Sequence, residues 1–499
     1  VIGHTPQADV RWLRAPLTVG DADPATRELE AVGWVSSNYV TGFTYRWDQF
    51  RAPVAGRYRV RFSGYTLWVP PGGIQMSYKG ESDKKGTPRP PNKNVGDYDH
   101  PQPGRNDEPI TVYTRNGVLN SRAIDELGLR GADVKIAGTT IERDAQGAPT
   151  GLLTGGGVSS YLRNKLPMGD AQRQVESVRA HLLALNSMGL TTSVDWGGYG
   201  FTEEWYEPFR TLHRQNALTM RVFHGTWYNT VNAADTDKAV AQIRELKAFQ
   251  GDDMMDRIGF GETVLLPLHD NPSNKGAQIS QENLALWRRI VQAVADRGMH
   301  LSVHANQRES LDAFLTQIED INRTHPIRGL RWSFAHVRQL STSDMERMRK
   351  LGMAALVHSQ ATISGQILQR IHGEAALDQP PVRTVLESGI PWGLGSDSNG
   401  AAPSNPFYTL WWAVTGNMLG GKPSLRQTIS RQDALIAHTR NNAYFVFREG
   451  DIGTLQNGKY ADLLVLSHDY LTVPAEQIKD ITPVITMVGG KIVYEAVSK

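Results

Sequence analysis

The sequence predicts an α/β fold: a (β/α)8, TIM-like barrel with a β-rich region ahead of it and a small β module behind it. Three observations predict this. Seven short apolar runs alternate with amphipathic helical stretches between residues 106 and 449. The texture turns to Gly, Pro, Tyr and Trp before that span, and to short strand-like runs after it. Four of the seven runs end in metal-capable residues that stand out together, Glu262, His304, His336 and Asp397, at separations that fit one barrel.

The central runs are 190–195, 219–224, 257–262, 300–304, 330–336, 353–358 and 390–397. Helical periodicity lies between most of them, clearest over 172–188, 237–249, 281–296 and 343–351. A strand followed by a helix, repeated, makes neighbouring strands run parallel. Repeats spaced by roughly 20–40 residues favour a barrel over an open sheet. The barrel domain is expected over residues 106–449.

Residues 1–105 read differently. The stretch 47–62 passes Pro53 and Gly56, then alternates charged and large apolar residues from Arg57 to Phe62. That alternation marks a half-exposed strand, so a β-sandwich-like module is expected here. Pro, Gly, Asn and Asp crowd 79–109, which reads as a linker or long loop. Residues 450–499 return to strands, clearest at 460–466 and 484–494, and Gly489-Gly490 sits between apolar runs as a hairpin turn does.

Composition sets the limits. The chain has 499 residues, and a barrel uses about 250, so both flanking modules have room. Lys and Arg number 53 against 51 Asp and Glu. That balance leaves no basic excess for nucleic acid or an anionic membrane. There is no cysteine, which excludes disulfides, thiolate nucleophiles and Cys-ligated zinc. No apolar run approaches the roughly 20 residues that span a bilayer. The chain starts at Val1 with neither an initiator Met nor a signal-peptide pattern, as expected of a mature or trimmed form.

Glu262, His304, His336 and Asp397 end four of the runs, separated by 42, 32 and 61 residues. A β/α unit occupies about 31 residues, so these gaps count one, one and two units. The four residues are then expected at the C-terminal ends of barrel strands 4, 5, 6 and 8, where side chains converge on the barrel mouth. Imidazole and carboxylate are natural ligands for Zn²⁺ and similar ions. A bound cation turns water into a nucleophile near neutrality. An Asp beside that water can take its proton and pass it to a leaving group.

Each residue also has an ordinary structural role. A lone strand-end His is more often a hydrogen-bonded core residue. Asp397, in Gly-Ser-Asp-Ser-Asn, is also a natural turn former or helix cap. Glu262 would serve equally as a buried ion-pair partner. The common register of all four favours the metal reading. Asp195, Trp196, His224, Trp227, His269, Arg308, His358 and Asn399 also end or follow strands. Trp196, Arg308 and Asn399 are the expected substrate contacts, although such polar groups and aromatics more often serve packing.

These residues resemble the amidohydrolase superfamily, specifically its YtcJ-like (amidohydrolase 3) branch, over about residues 109–497. The most specific stretch is GTLQNGKYADLLVL at 453–466 followed by VGGKIVY at 488–494. Further matches are VHA at 303–305, FAH at 334–336, GIPWGLGSD at 389–397, NSRAI at 120–124 and IERDAQGAPTGL at 141–152. The resemblance implies hydrolysis of C–N or related bonds by a metal-activated water. It implies that His304 and His336 are ligands and Asp397 the general acid/base. Glu262 stands where the family often carries a carboxylated Lys that bridges two metals. The divalent metal is expected to be zinc, as one or two ions. In one respect the chain departs from the pattern. The family's first barrel strand ends in His-x-His, and this sequence has none. A one-metal site, a first strand lying outside this chain, and a decayed site are all compatible with that.

The leading expectation is a metal-dependent hydrolase of an amide or related C–N bond in a small molecule. The alternative is a non-catalytic binding protein with a degraded site; a deaminase on the same barrel ranks third. A homo-oligomer is compatible with the sequence. A β-sandwich leading a hydrolase suggests a periplasmic or secreted setting.

Overall fold

The structure, a computed structural model, describes residues 116–118, 121–136, 139–154, 161, 169–197 and 203–496. The expected N-terminal β module and the linker at 79–109 lie outside the described residues. The chain divides into two compact units, Val1–Pro167 and Met168–Lys499.

In the first unit, β1 (Asn116–Val118), β2 (Thr140–Arg143) and β3 (Pro149–Thr154) form an antiparallel sheet in the order β1-β3-β2. The turn between β2 and β3 is closed by Asp144, whose Oδ1 accepts from the backbone of Gln146 at 3.0 Å and of Ala148 at 2.9 Å. Asp supports such a turn because its short side chain reaches its own following backbone. Helix α1 (Ser121–Glu126) contributes Ala123 and Ile124 to a small core with Leu129 and Leu153.

The second unit is built on seven parallel strands: β4 (Thr192–Asp195), β5 (Arg221–Thr226), β6 (Met255–Glu262), β7 (His300–Ala305), β8 (Ser333–His336), β9 (Ala354–His358) and β10 (Trp392–Gly395). They lie side by side in chain order from β4 to β10. Each expected central run is one of these strands. Every residue of β5 and β7 is buried, as in a parallel sheet covered on both faces. The sheet curls. Asp195 ends one edge strand and Asp397 follows the other, six spacings away; a flat sheet would separate them by roughly 29 Å. Yet the charge of Asp195 acts on Asp397. An eighth strand that would close the barrel is not among the described residues.

The helices between the strands follow the sequence periodicity. They are α2 (Ala171–Ser187), α3 (Glu207–Arg214), α4 (Ala233–Glu245), α5 (Gln281–Asp296), α6 (Arg308–Thr324), α7 (Thr342–Leu351) and α8 (Ala361–His372). Asn232 and Ser280 cap α4 and α5 through side-chain oxygens. Ser341 and Asp344 form a capping box on α7, which ends at Gly352 with φ +73°. The helix expected at 237–249 runs four residues earlier and stops at Glu245. Past that stop the chain turns back at Phe249, whose φ is +56° and whose N–H bonds the Arg257 carbonyl of β6 at 2.8 Å. Tertiary pairing outweighs helical propensity there. Between the helices and the sheet, Trp287 stacks on Phe314 with centroids 4.5 Å apart.

The C-terminal sheet, β11 (Leu463–Leu466), β12 (Pro483–Val488) and β13 (Lys491–Glu495), is antiparallel and belongs to the second unit. Gly489 and Gly490, at φ +54° and +81°, make the expected hairpin turn. Thr486 donates to the Asn186 carbonyl at 2.7 Å, and Arg221 of β5 bonds both oxygens of Asp462, at 2.7 and 3.0 Å. No helix among the described residues is long and apolar enough to cross a membrane.

Candidate metal centre

The sheet register carries three side chains to one point. Glu262 ends β6, His304 lies near the end of β7, and His336 ends β8. Glu262 Oε1 is 2.6 Å from His304 Nδ1 and 2.7 Å from His336 Nε2. Gly261 allows this approach. A Cβ at that position would stand 1.9 Å from the Ser302 carbonyl of β7. His336 takes a left-handed backbone, φ +74°. That conformation costs a side-chain-bearing residue about 1–2 kcal/mol and persists where surrounding contacts over-determine it.

Each imidazole is also held from behind. His304 Nε2 lies 2.9 Å from the Asp270 carbonyl and 3.1 Å from its Oδ1. The Asp270 carboxylate accepts from the backbone N–H of Asn306 at 2.9 Å and of Gln307 at 2.7 Å. His269 stacks on His304 at 3.6 Å. His336 Nδ1 lies 2.7 Å from His358 Nδ1. His336, His358 and Asp397 form a second group whose ligand-type atoms all fall within 4.8 Å of one another.

The electrostatics are those of a crowded, buried cluster. Burial alone would raise the Glu262 carboxyl, but the charges and hydrogen bonds of His336 and His304 outweigh it and hold it well below the carboxylate range. Burial would lower His304; hydrogen bonds to Asp270 and Glu262 overturn that and push it up to about 10. Asp397 goes the other way. Burial, then the charge of Glu262, lifts it well above an ordinary carboxyl. Its Oδ2 is buried with no hydrogen-bond partner among the described residues.

Two imidazoles and a carboxylate on three strands are a donor set suited to a divalent cation. The buried, partnerless oxygen of Asp397 belongs to the second such group, with His336 and His358. The structure therefore brings together Glu262, His304 and His336, with Asp397 adjoining through His336 and His358.

The expected substrate contacts are placed differently. Trp196 is buried with its ring 4.5 Å from that of His300, inside a core cluster. Arg308 opens α6, and its guanidinium pairs with Asp344 of α7 at 2.8 Å. Asn399 lies in the short helix Ser398–Ala401, and its side chain is outside the described residues. His224 stacks on Tyr206 at 4.0 Å, and Tyr206 donates to Asp195 at 2.7 Å. Sequence reasoning missed Asp270 and Asn306. Asp270 sits in the loop beyond the 3-10 turn Leu266–Leu268, and no strand periodicity points to it.

A sequential parallel sheet whose strand ends gather imidazoles and carboxylates defines an α/β protein with a barrel-like sheet and a candidate metal centre on it. The chain belongs to the amidohydrolase family, whose sequence model matches residues 106–494. It is similar to an N-substituted formamide deformylase of Arthrobacter pascens, 24% identical over 400 residues, covering 77% of this chain and 73% of that protein. It is similar to the putative amidohydrolase YtcJ of Bacillus subtilis (strain 168), 23% identical over 392 residues, covering 76% and 72%. In fold it matches an uncharacterized metal-dependent hydrolase from Pyrococcus horikoshii OT3, with a TM-score of 0.52 at 20% identity over 72% of this chain and 71% of that one.

Proposed function

We propose that this protein hydrolyses an amide or related C–N bond of a small molecule, with Glu262, His304 and His336 holding a divalent cation, zinc by donor type, and Asp397 completing the site. One observation carries the reading: Glu262 Oε1 meets His304 at 2.6 Å and His336 at 2.7 Å, from strands 42 and 74 residues away in the chain. The bound cation would supply an acidified water and a polarised carbonyl.

The chain's own residues do the rest. Asp270, on His304 Nε2, favours the tautomer with its proton there and leaves the Nδ1 lone pair facing Glu262. His358, at the Nδ1 of His336, does the same for Nε2. Asp397, raised by burial and by Glu262, is suited to take a proton and hand it to a leaving nitrogen. The A. pascens relative is named for N-substituted formamides, so such formamides belong in the first substrate panel beside N-acyl amino acids and cyclic imides.

Metal analysis of purified protein, with turnover of that panel by wild type and by His304→Ala, tests the proposal. Bound divalent metal and turnover, both lost in the variant, are expected. Undiminished turnover in His304→Ala would reject the site. A second reading, a binding protein with a decayed site, draws on the lack of any His-x-His in the sequence. Failure to take up any divalent metal on reconstitution would favour it.

A further inference from the structure

Two residues beyond His336, Arg338 is only 4% exposed. Its Nη1 donates to the Pro272 carbonyl at 3.2 Å and its Nη2 to Gln379 Oε1 at 2.8 Å, both neutral acceptors. Its Nε has no hydrogen-bond partner among the described residues, and no carboxylate among them forms an ion pair with it. Asp270 acts on Arg338 through its charge, but its carboxylate is already taken by His304 and the backbone of Asn306 and Gln307. A buried cation without a directly paired carboxylate is costly, so arginines are seldom left this way.

Arg338 lines a cavity with His336, His358, Asn306, Gln360 and Gln379, and no residue lining it is acidic. The cavity thus adjoins the metal-ligand cluster, because His336 belongs to both. We propose that it is an anion subsite, in which Arg338 takes a carboxylate or similar small oxyanion group of the substrate. The planar guanidinium matches a carboxylate as no ammonium does, and its Nε–H supplies a donor not otherwise used. The inference deepens the hydrolase reading: the substrate is an amide that also carries an acid group, so its hydrolysis releases an acidic fragment.

Arg338 also has a plain structural role, tying the loop at Pro272 to Gln379. Calorimetric titration of the full-length protein with acetate and with its neutral isostere acetamide, at fixed ionic strength, separates the two. The titrations are run on metal-loaded and on chelator-treated protein. In both forms acetate is expected to bind at least about tenfold more tightly than acetamide, the scale of one charge-assisted hydrogen bond. Arg338→Met should abolish that preference and Arg338→Lys keep part of it. Should the Met variant fail to fold by circular dichroism, the wild-type comparison and the Lys variant still decide. Equal binding of the two probes, or acetate binding unchanged in a folded Arg338→Met, overturns the subsite. Acetate binding that vanishes with the metal also overturns it, since the cation would then be the anion's partner, while the hydrolase reading stands. Absence of metal with acetate preference intact would do the reverse.

Discussion

The carboxylate of Asp270 stands 3.1 Å from His304 Nε2, while Glu262 takes the same ring at Nδ1 at 2.6 Å. One imidazole is thus clamped between two acids. The first comes from a loop and the second from the neighbouring strand.

That clamp predicts a loss of metal affinity when Asp270 is replaced. Asp270→Asn keeps the shape but removes the charge that orients the ring. Affinity should fall about 10- to 100-fold, read by competition with a coloured chelator. Unchanged affinity would mean the His304 ring is held by packing alone.

Asp397→Asn should lower kcat by about 10²- to 10⁴-fold, the range for losing a general acid or base. The folded protein should retain its metal through Glu262, His304 and His336. Atomic absorption alongside steady-state kinetics checks both halves, and full activity in this variant would remove Asp397 from the chemistry.

Buried His300 predicts acid sensitivity. Burial holds it down to about 3, below its ordinary value of 6.5. The folded value lies under the unfolded one, so the unfolded chain takes the proton first. The stability is present above about 6.5 and is lost as pH falls toward 3, by a few kcal/mol. Urea midpoints between pH 7 and pH 4 should therefore drop further in wild type than in His300→Gln. Parallel curves would show that other groups set the acid limit.

Arg221 is 1% exposed and bonds Asp462 twice. Asp462→Ala strands that charge at the join between β5 and the C-terminal sheet. The loss should be about 3 kcal/mol, at the low end for a broken buried pair because Asp253 also bonds Arg221. Denaturant unfolding measures it, and a change under about 0.5 kcal/mol would place the pair with weak surface contacts.

Much of the architecture was legible because it rests on periodicity. Apolar runs bounded by helical stretches located all seven strands, since strand and helix bury different faces at different spacings. Helix 281–296 was read to the residue because Ser280 caps it locally. The helix near 237–249 was misplaced because the chain past Glu245 turns back to β6, and that pairing has no local signal.

The linear sequence by itself determined the parallel α/β plan, the residue types of the candidate site, and the strand ends where Glu262, His304 and His336 sit. Residue type and spacing are local properties, and a regular strand converts them directly into position. Only the tertiary structure decided that His358 and Asp270 back the two imidazoles, that Arg308 serves a helix pair, and that Arg338 lies buried without a directly paired carboxylate. Those relations arise where a curled sheet folds distant loops over its strand ends, and no spacing along the chain encodes that meeting.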